Sequence, residues 1–101
     1  MNLFLTQSPQ IGAAKAYLLR QALSVVAKKA NHIVVEQAKE ADLVIVFGSS
    51  LPNSAELFFL WQKVFLANED AAIASPEVTL TNALNQAVDY VQPVQKCGWI
   101  W

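Results

Sequence analysis

The chain has 101 residues, with seven basic and eight acidic side chains, so its net charge is close to zero. Hydrophobic residues make up 54% of the chain and charged residues 15%, which predicts one domain with a packed core and excludes a disordered charged tail. A near-neutral chain creates no general attraction for nucleic acid, and a single cysteine excludes an internal disulfide and a cysteine-based zinc cluster. We therefore expect no nucleic-acid partner, no metal and no cofactor.

The first third of the chain predicts a strand, a polar loop and a long helix. Asn2–Thr6 has the apolar character of a strand. Between Ile11 and Ala30, apolar residues recur at spacings of three and four, which indicates an amphipathic helix that ends at Asn31. Its polar side carries Arg20, Lys28 and Lys29, which predict a solvated helix face.

The middle of the chain predicts two further strands. His32–Glu36 is rich in β-branched residues, and His32 is expected at a surface or sheet edge. Gln37–Asp42 is a charged connection. Leu43–Phe47 is apolar throughout, which is typical of an interior parallel strand covered on both faces. After it, Ser54 is positioned to cap a short helix over residues 55–60.

The last third predicts a fourth strand and two helical pieces. Lys63–Leu66 is the strand, and residues 68–70 turn the chain into a short helix at Ala71–Ala74. Ser75-Pro76-Glu77 begins a final helix over Val78–Tyr90. The residues expected on its inward face are Val78, Ala83, Leu84, Ala87, Val88 and Val91.

This order of elements predicts an α/β fold: a three-layer sandwich around a four-stranded parallel sheet of order 2-1-3-4, flavodoxin- or Rossmann-like. We assign residues 1–92 to the domain and 93–101 to the start of a linker or a tail. Strands 1 and 3 are then central, with a switch point between them. The loops Gln7–Gly12 and Gly48–Asn53 should lie side by side at the carboxyl edge of the sheet.

The first of these loops occupies the position where α/β proteins commonly bind phosphate or carry a nucleophile. It contains no cysteine, histidine or carboxylate; its residues are Ser8, Pro9, Gln10, Ile11 and Gly12. A serine hydroxyl needs a nearby base to act as a nucleophile, so Ser8 is expected to cap the helix or to hydrogen-bond within the loop. We predict no catalytic residue.

The same loop retains backbone N–H groups that suit an anion, and Lys15 lies near the start of the helix. Gly48, Ser49 and Ser50 follow the third strand and form either a second wall of an anion site or a simple turn. Lys15 and these three residues are therefore the candidate docking or anion contacts.

Two segments resemble the IIB domains of the fructose branch of the bacterial sugar phosphotransferase system. Residues 12–23, Gly-Ala-Ala-Lys-Ala-Tyr-Leu-Leu-Arg-Gln-Ala-Leu, match the family's first helix, and residues 41–46, Ala-Asp-Leu-Val-Ile-Val, match the start of its third strand. The family's loop cysteine accepts phosphate from a phosphohistidine and passes it to the sugar. Here the corresponding residue is Pro9, or Ser8 if one residue is inserted. Some fructose permeases carry an N-terminal IIB-like domain without the cysteine, and this chain is most similar to those.

The resemblance implies a degenerate IIB-like domain that docks the phosphohistidine carrier protein or positions the active IIB domain. The implied partners are that carrier and the active IIB and membrane IIC domains of the parent permease. It also implies a cytoplasmic location, at the inner face of the membrane within the full permease. Two alternatives remain: a phosphoryl-transfer domain that uses an acceptor such as Ser8, and an unrelated flavodoxin-like module that binds an anion between the two loops.

Overall fold

A computed structural model describes residues 1–48 and 63–89. The strands are β1 (Asn2–Gln7), β2 (Ile33–Val34), β3 (Leu43–Phe47), β4 (Lys63–Ala67) and β5 (Val88–Asp89). The helices are α1 (Ala13–Lys29), α2 (Glu69–Ala74) and α3 (Pro76–Gln86), with a 3₁₀ turn at Ala38–Glu40. The predicted helix over 55–60, with its cap at Ser54, and the segment 93–101 lie outside the described residues.

The strands form one sheet of order β2-β1-β3-β4-β5. The first four are parallel, which confirms the predicted α/β fold and the order 2-1-3-4. Strands β1 and β3 pair along their length, with Leu3 opposite Leu43 and Gln7 opposite Phe47. The carboxyl ends of these two central strands therefore meet at the same edge of the sheet. Strand β5, antiparallel to β4, was not predicted.

The core has two parts, one on each face of the sheet. The larger part joins the three helices to one face; its largest buried members are Leu3, Leu19, Leu23, Leu43, Ile45 and Phe47. The smaller part lies on the opposite face and contains Ala41, Val44, Val46 and Val64. Strand β3 contributes to both parts and is buried along its whole length, as expected from its unbroken apolar sequence.

Helix α1 ends where the sequence predicts, and the structure shows the mechanism. Asn31 has a φ of 64°, a left-handed conformation that asparagine adopts more readily than most residues. The N–H of His32 donates to the C=O of Ala27 at 2.9 Å, and the N–H of Asn31 donates to the C=O of Lys28 at 3.1 Å. These two bonds form a Schellman motif, which satisfies carbonyls at the end of the helix.

The final helix differs from the prediction in length and orientation. Helix α3 ends at Gln86, because Ala87 is extended and leads the chain into β5 beside β4. Its buried residues are Thr79, Leu80 and Ala83. Val78, Leu84 and Val88, which were expected to face inward, are instead exposed. Packing against α1, α2 and β4 sets the rotation of this helix, and the hydrophobic sequence pattern does not reveal it.

Candidate functional site

The predicted switch-point site is built where β1 and β3 end. The N–H of Ser8 donates to the C=O of Phe47 at 2.8 Å, which ties the first loop to the end of β3. Gly48 has a φ of +118°, and a Cβ added there would clash with the Oγ of Ser8. Only a residue without a side chain fits this close approach. Gly48 and Ser8 thus lie together as expected, whereas Ser49 and Ser50 lie outside the described residues.

Ser8 is directed inward. The residue is only 2% exposed, and its C=O accepts a hydrogen bond from the N–H of Ile11 at 3.1 Å. The N-cap of α1 is Gly12, and no side chain caps the helix there. Of the two roles expected for Ser8, the structure shows hydrogen bonding within the loop, through its backbone N–H and C=O, and not capping of the helix. The Ser8 side chain is therefore buried within the domain.

The surface of the first loop is small and uncharged. Pro9, Gln10 and Gly12 are exposed, as are the first two residues of α1. Ile11 is partly buried and packs its side chain on the larger part of the core. The exposed loop thus presents a proline ring, an amide and small side chains to a neighbouring molecule, with no nucleophilic group among them.

Lys15, in the first turn of α1, is held by two carboxylates that the sequence analysis did not assign to the site. Its Nζ lies 3.1 Å from Oε2 of Glu69 and 3.7 Å from Oδ1 of Asp70. The hydrogen bond to Glu69 raises the pKa of Lys15, with a smaller opposing effect of desolvation. One positive and two negative side chains leave this corner with a net negative charge, which opposes the binding of an anion.

The two carboxylates reach Lys15 because of how α2 begins. Asn68 is the N-cap of α2, and its side-chain oxygen accepts hydrogen bonds from the N–H groups of Asp70 and Ala71. Glu69 and Asp70 follow in the first turn, where the helix dipole favours negative charge. The sequence signal was present: a cap followed by two acids directly after β4, at the same edge of the sheet as Lys15.

Two further classes of site can be assessed in the described chain. Residues 1–48 and 63–89 contain no group of three or more histidine, cysteine, aspartate or glutamate side chains placed to hold a metal ion. No helix in these two ranges combines the length and apolar character that crossing a bilayer requires.

The parallel sheet and the two loops at the carboxyl ends of β1 and β3 define an α/β domain of the class expected from the sequence, and its first loop contains no cysteine. Residues 1–90 match the family model described as "PTS system fructose specific EIIB'BC N-terminal". The chain belongs to this family of N-terminal domains of fructose-specific phosphotransferase components, which confirms the resemblance seen in the sequence.

The chain is similar to two proteins named "PTS system fructose-specific EIIB'BC component". It is 53% identical over 93 residues to the one from Haemophilus influenzae and 32% identical over 94 residues to the one from Escherichia coli. These alignments cover 92% and 93% of the chain but only 16% of either relative. The chain thus spans about one sixth of the length of these relatives.

Two solved structures share the fold. A domain of the fructose-specific IIABC component from Borrelia burgdorferi superposes with a TM-score of 0.67 at 18% identity, covering 88% of this chain and 97% of that one. A domain of fruA from Bacillus subtilis gives a TM-score of 0.61 at 22% identity, covering 88% and 98%. At these identities the likeness concerns the fold alone.

Proposed function

We propose that this chain is a non-catalytic IIB-like domain of a fructose-type phosphotransferase permease. In this proposal the domain acts by binding: it docks the phosphohistidine carrier protein or positions the active IIB domain of the same permease. Its family supports this placement, since both named relatives are fructose-specific components that are much longer than this domain. As part of such a permease, it lies at the cytoplasmic face of the inner membrane.

The observation that carries the proposal is the content of the first loop. Phosphoryl transfer requires a nucleophile that is accessible to the donor and oriented in line with the transferred group. The two residues that align with the family cysteine fail in different ways: Ser8 has a hydroxyl but is 2% exposed, whereas Pro9 is exposed and has no nucleophilic atom. The first loop thus occupies the position of the family's acceptor loop but lacks the cysteine that accepts the phosphate there.

Electrostatics supports the same conclusion. An accepted phosphate would add negative charge beside the first turn of α1, where Lys15 is already paired with Glu69 and Asp70. The positive end of the helix still favours an anion, but it is equivalent to about half a unit charge. The neighbouring carboxylates therefore work against a bound phosphate, and Lys15 is engaged within the domain.

The loop surface supports docking because it is exposed and nearly uncharged. A carrier that delivers phosphate to a related domain must bind against this edge of the sheet, where the acceptor loop lies. In this chain the corresponding surface is formed by the exposed Pro9 and Gln10 and by the first turn of α1. It lacks a side chain that could accept the phosphate. A partner binding there would meet small side chains that allow close approach, flanked by the acidic first turn of α2.

The test is an NMR titration of the ¹⁵N-labelled domain with the carrier protein, and separately with the active IIB domain. We expect shift changes centred on residues 9–14 with at least one of these partners. Ala14→Arg adds a large charged side chain to this surface and should weaken binding at least about tenfold, the effect of losing about 1.4 kcal/mol. Val78→Arg is the matched control, because Val78 is 58% exposed at the start of α3, beside Val26 near the other end of α1.

Binding of the carrier alone would identify docking as the role, and binding of the active IIB domain alone would identify positioning. Binding that Ala14→Arg leaves unchanged would place the contact elsewhere and contradict the surface we propose. An absence of shift changes with both partners would overturn the proposal as a whole.

A further inference from the structure

Among residues 1–48 and 63–89, no strand pairs with the outer edge of the sheet at β2. On the inner side, the N–H of Ile33 donates to the C=O of Met1 at 3.0 Å, and the N–H of Val35 donates to the C=O of Leu3 at 2.8 Å. Successive residues of a strand direct their amides to opposite sides, so the N–H and C=O of Val34 point away from β1. Since β2 is the terminal strand in the observed order, this edge can accept another strand.

A groove runs along this edge between β2 and α1. It consists of two adjoining cavities of about 510 and 480 Å³, and both are lined by Gln21, Ser24 and Val34. Val34 therefore lies at the middle of the groove. The groove extends towards Glu36 in one direction and towards Lys28 and His32 in the other.

If a second copy is related to the first by a twofold rotation at Val34, the residues before Val34 in one copy lie opposite the residues after it in the other. His32 precedes Val34 by two positions, and Glu36 follows it by two. In an antiparallel pair centred on Val34, His32 of each copy lies opposite Glu36 of the other, and the 61%-exposed Ile33 lies opposite Val35. An imidazole opposite a carboxylate can donate a hydrogen bond to it, whereas two carboxylates opposite each other would oppose the pairing.

The remaining polar groups of the groove are compatible with this arrangement. Lys28 lies at the same end as His32, so in the pair it approaches Glu36 of the second copy. Arg20 lines the Glu36 end, but its Nε donates to the C=O of Ala16 on its own helix at 3.4 Å.

We propose that two copies of this domain associate through the outer edges of β2, antiparallel about a twofold axis at Val34, so that the sheet continues from one copy into the other. The N–H and C=O of Val34 then bond those of Val34 in the second copy, and the two α1 helices lie on the same face of the joined sheet. This proposal is independent of carrier docking, because the loop surface at residues 9–14 lies on a different edge.

The interface is short, so we expect a weak dimer that is half formed between about 0.1 and 1 mM. Sedimentation velocity and ¹⁵N-labelled NMR spectra, recorded from about 10 µM to about 1 mM, should show a dimer with shift changes centred on β2. Val34→Lys places two ammonium groups opposite each other at the axis and should weaken association at least about tenfold. Leu66→Lys, at a similarly exposed strand position on β4, is the control and should associate like the unchanged chain.

Charge exchange and cross-linking test the register. Glu36→Lys should abolish the dimer, and adding His32→Glu to that variant should restore it, because a carboxylate then lies opposite the new ammonium group. In a Cys97→Ser background, Val34→Cys should form a disulfide-linked dimer on mild oxidation, because Cα atoms of a hydrogen-bonded antiparallel pair lie about 5.5 Å apart. Leu66→Cys in that background should not.

Two results would overturn the proposal. One is a chain that stays monomeric, without concentration-dependent shifts, over the whole range. The other is a dimer whose stability is unchanged by Val34→Lys and by Glu36→Lys, which would show that association uses another surface.

Discussion

Replacing Gly48 by alanine tests the contact that joins the two switch-point loops. The backbone of Gly48 has a φ of +118°, which side chains strongly disfavour, and this alone costs about 1–3 kcal/mol. The new methyl group would also clash with the Oγ of Ser8, and it would lie 2.7 Å from the Cβ of Ser8 and 3.3 Å from Cδ1 of Ile11. Overpacking of this kind costs a further 1–3 kcal/mol or so. We therefore expect a loss of about 2–6 kcal/mol in the free energy of unfolding.

The assay is urea unfolding followed by circular dichroism, with Gly12→Ala as the matched control. Gly12 has a φ of −66° and no heavy atom within 4 Å of an added Cβ, so this change should alter stability by less than about 0.5 kcal/mol. Combining Gly48→Ala with Ser8→Gly removes the clashing side chain and should recover about 1–2 kcal/mol of coupling energy. If Gly48→Ala and Gly12→Ala had equal effects, the close approach of the two loops would be refuted.

Four further predictions concern the helix ends and the Lys15 corner. Asn68→Ala removes two cap hydrogen bonds of 3.0 Å and should lower the free energy of unfolding by about 1 kcal/mol in urea titrations. An unchanged urea midpoint would contradict the capping role of Asn68. Because φ of Asn31 is 64°, Asn31→Gly should leave the free energy of unfolding unchanged or raise it, whereas Asn31→Ala should lower it by about 1 kcal/mol. Equal effects of the two variants in the same titrations would contradict the left-handed conformation at the end of α1. Pairing raises the pKa of Lys15 above its ordinary value of 10.5, so the stabilisation is fully present below pH 10.5 and is lost as the pH rises through the higher pKa of the folded state. In urea titrations at several pH values, Lys15→Gln should remove that part of the pH dependence of unfolding. Glu69→Gln with Asp70→Asn should release Lys15 and produce stabilisation by phosphate in thermal melts, and no gain over the unchanged chain would contradict our account of this corner.

The sequence predicted the elements whose signals are local and strong. The prediction gives β3 its observed ends, because its five consecutive apolar residues indicate a buried strand. Asn31 marks the end of α1, because the left-handed conformation that asparagine readily adopts is the one required at that turn. Strand β2 is shorter than predicted, since only Ile33 and Val34 pair with β1. Strand β5 was missed because two residues carry no periodic pattern, and Val88 read as a continuation of the helix.

The candidate site was predicted in its position but not in its electrostatics. Topology alone brings the ends of β1 and β3 together, so the pairing of Ser8 with Gly48 followed from the strand order. The partners of Lys15 could not be read in the same way, because they depend on the path of the chain after β4. Burial of Ser8 likewise depends on the close approach of Gly48, which is a tertiary contact and leaves no local sequence pattern.

The most direct test of the central claim is to incubate the purified domain with the phosphohistidine carrier and its phosphoryl donor, and to measure the intact mass. An active IIB domain in the same reaction serves as the positive control. We predict that the active domain gains one phosphoryl group while the mass of this domain does not change. A stable phosphoryl adduct on this domain, lost on Ser8→Ala, would contradict the non-catalytic role and identify Ser8 as an acceptor.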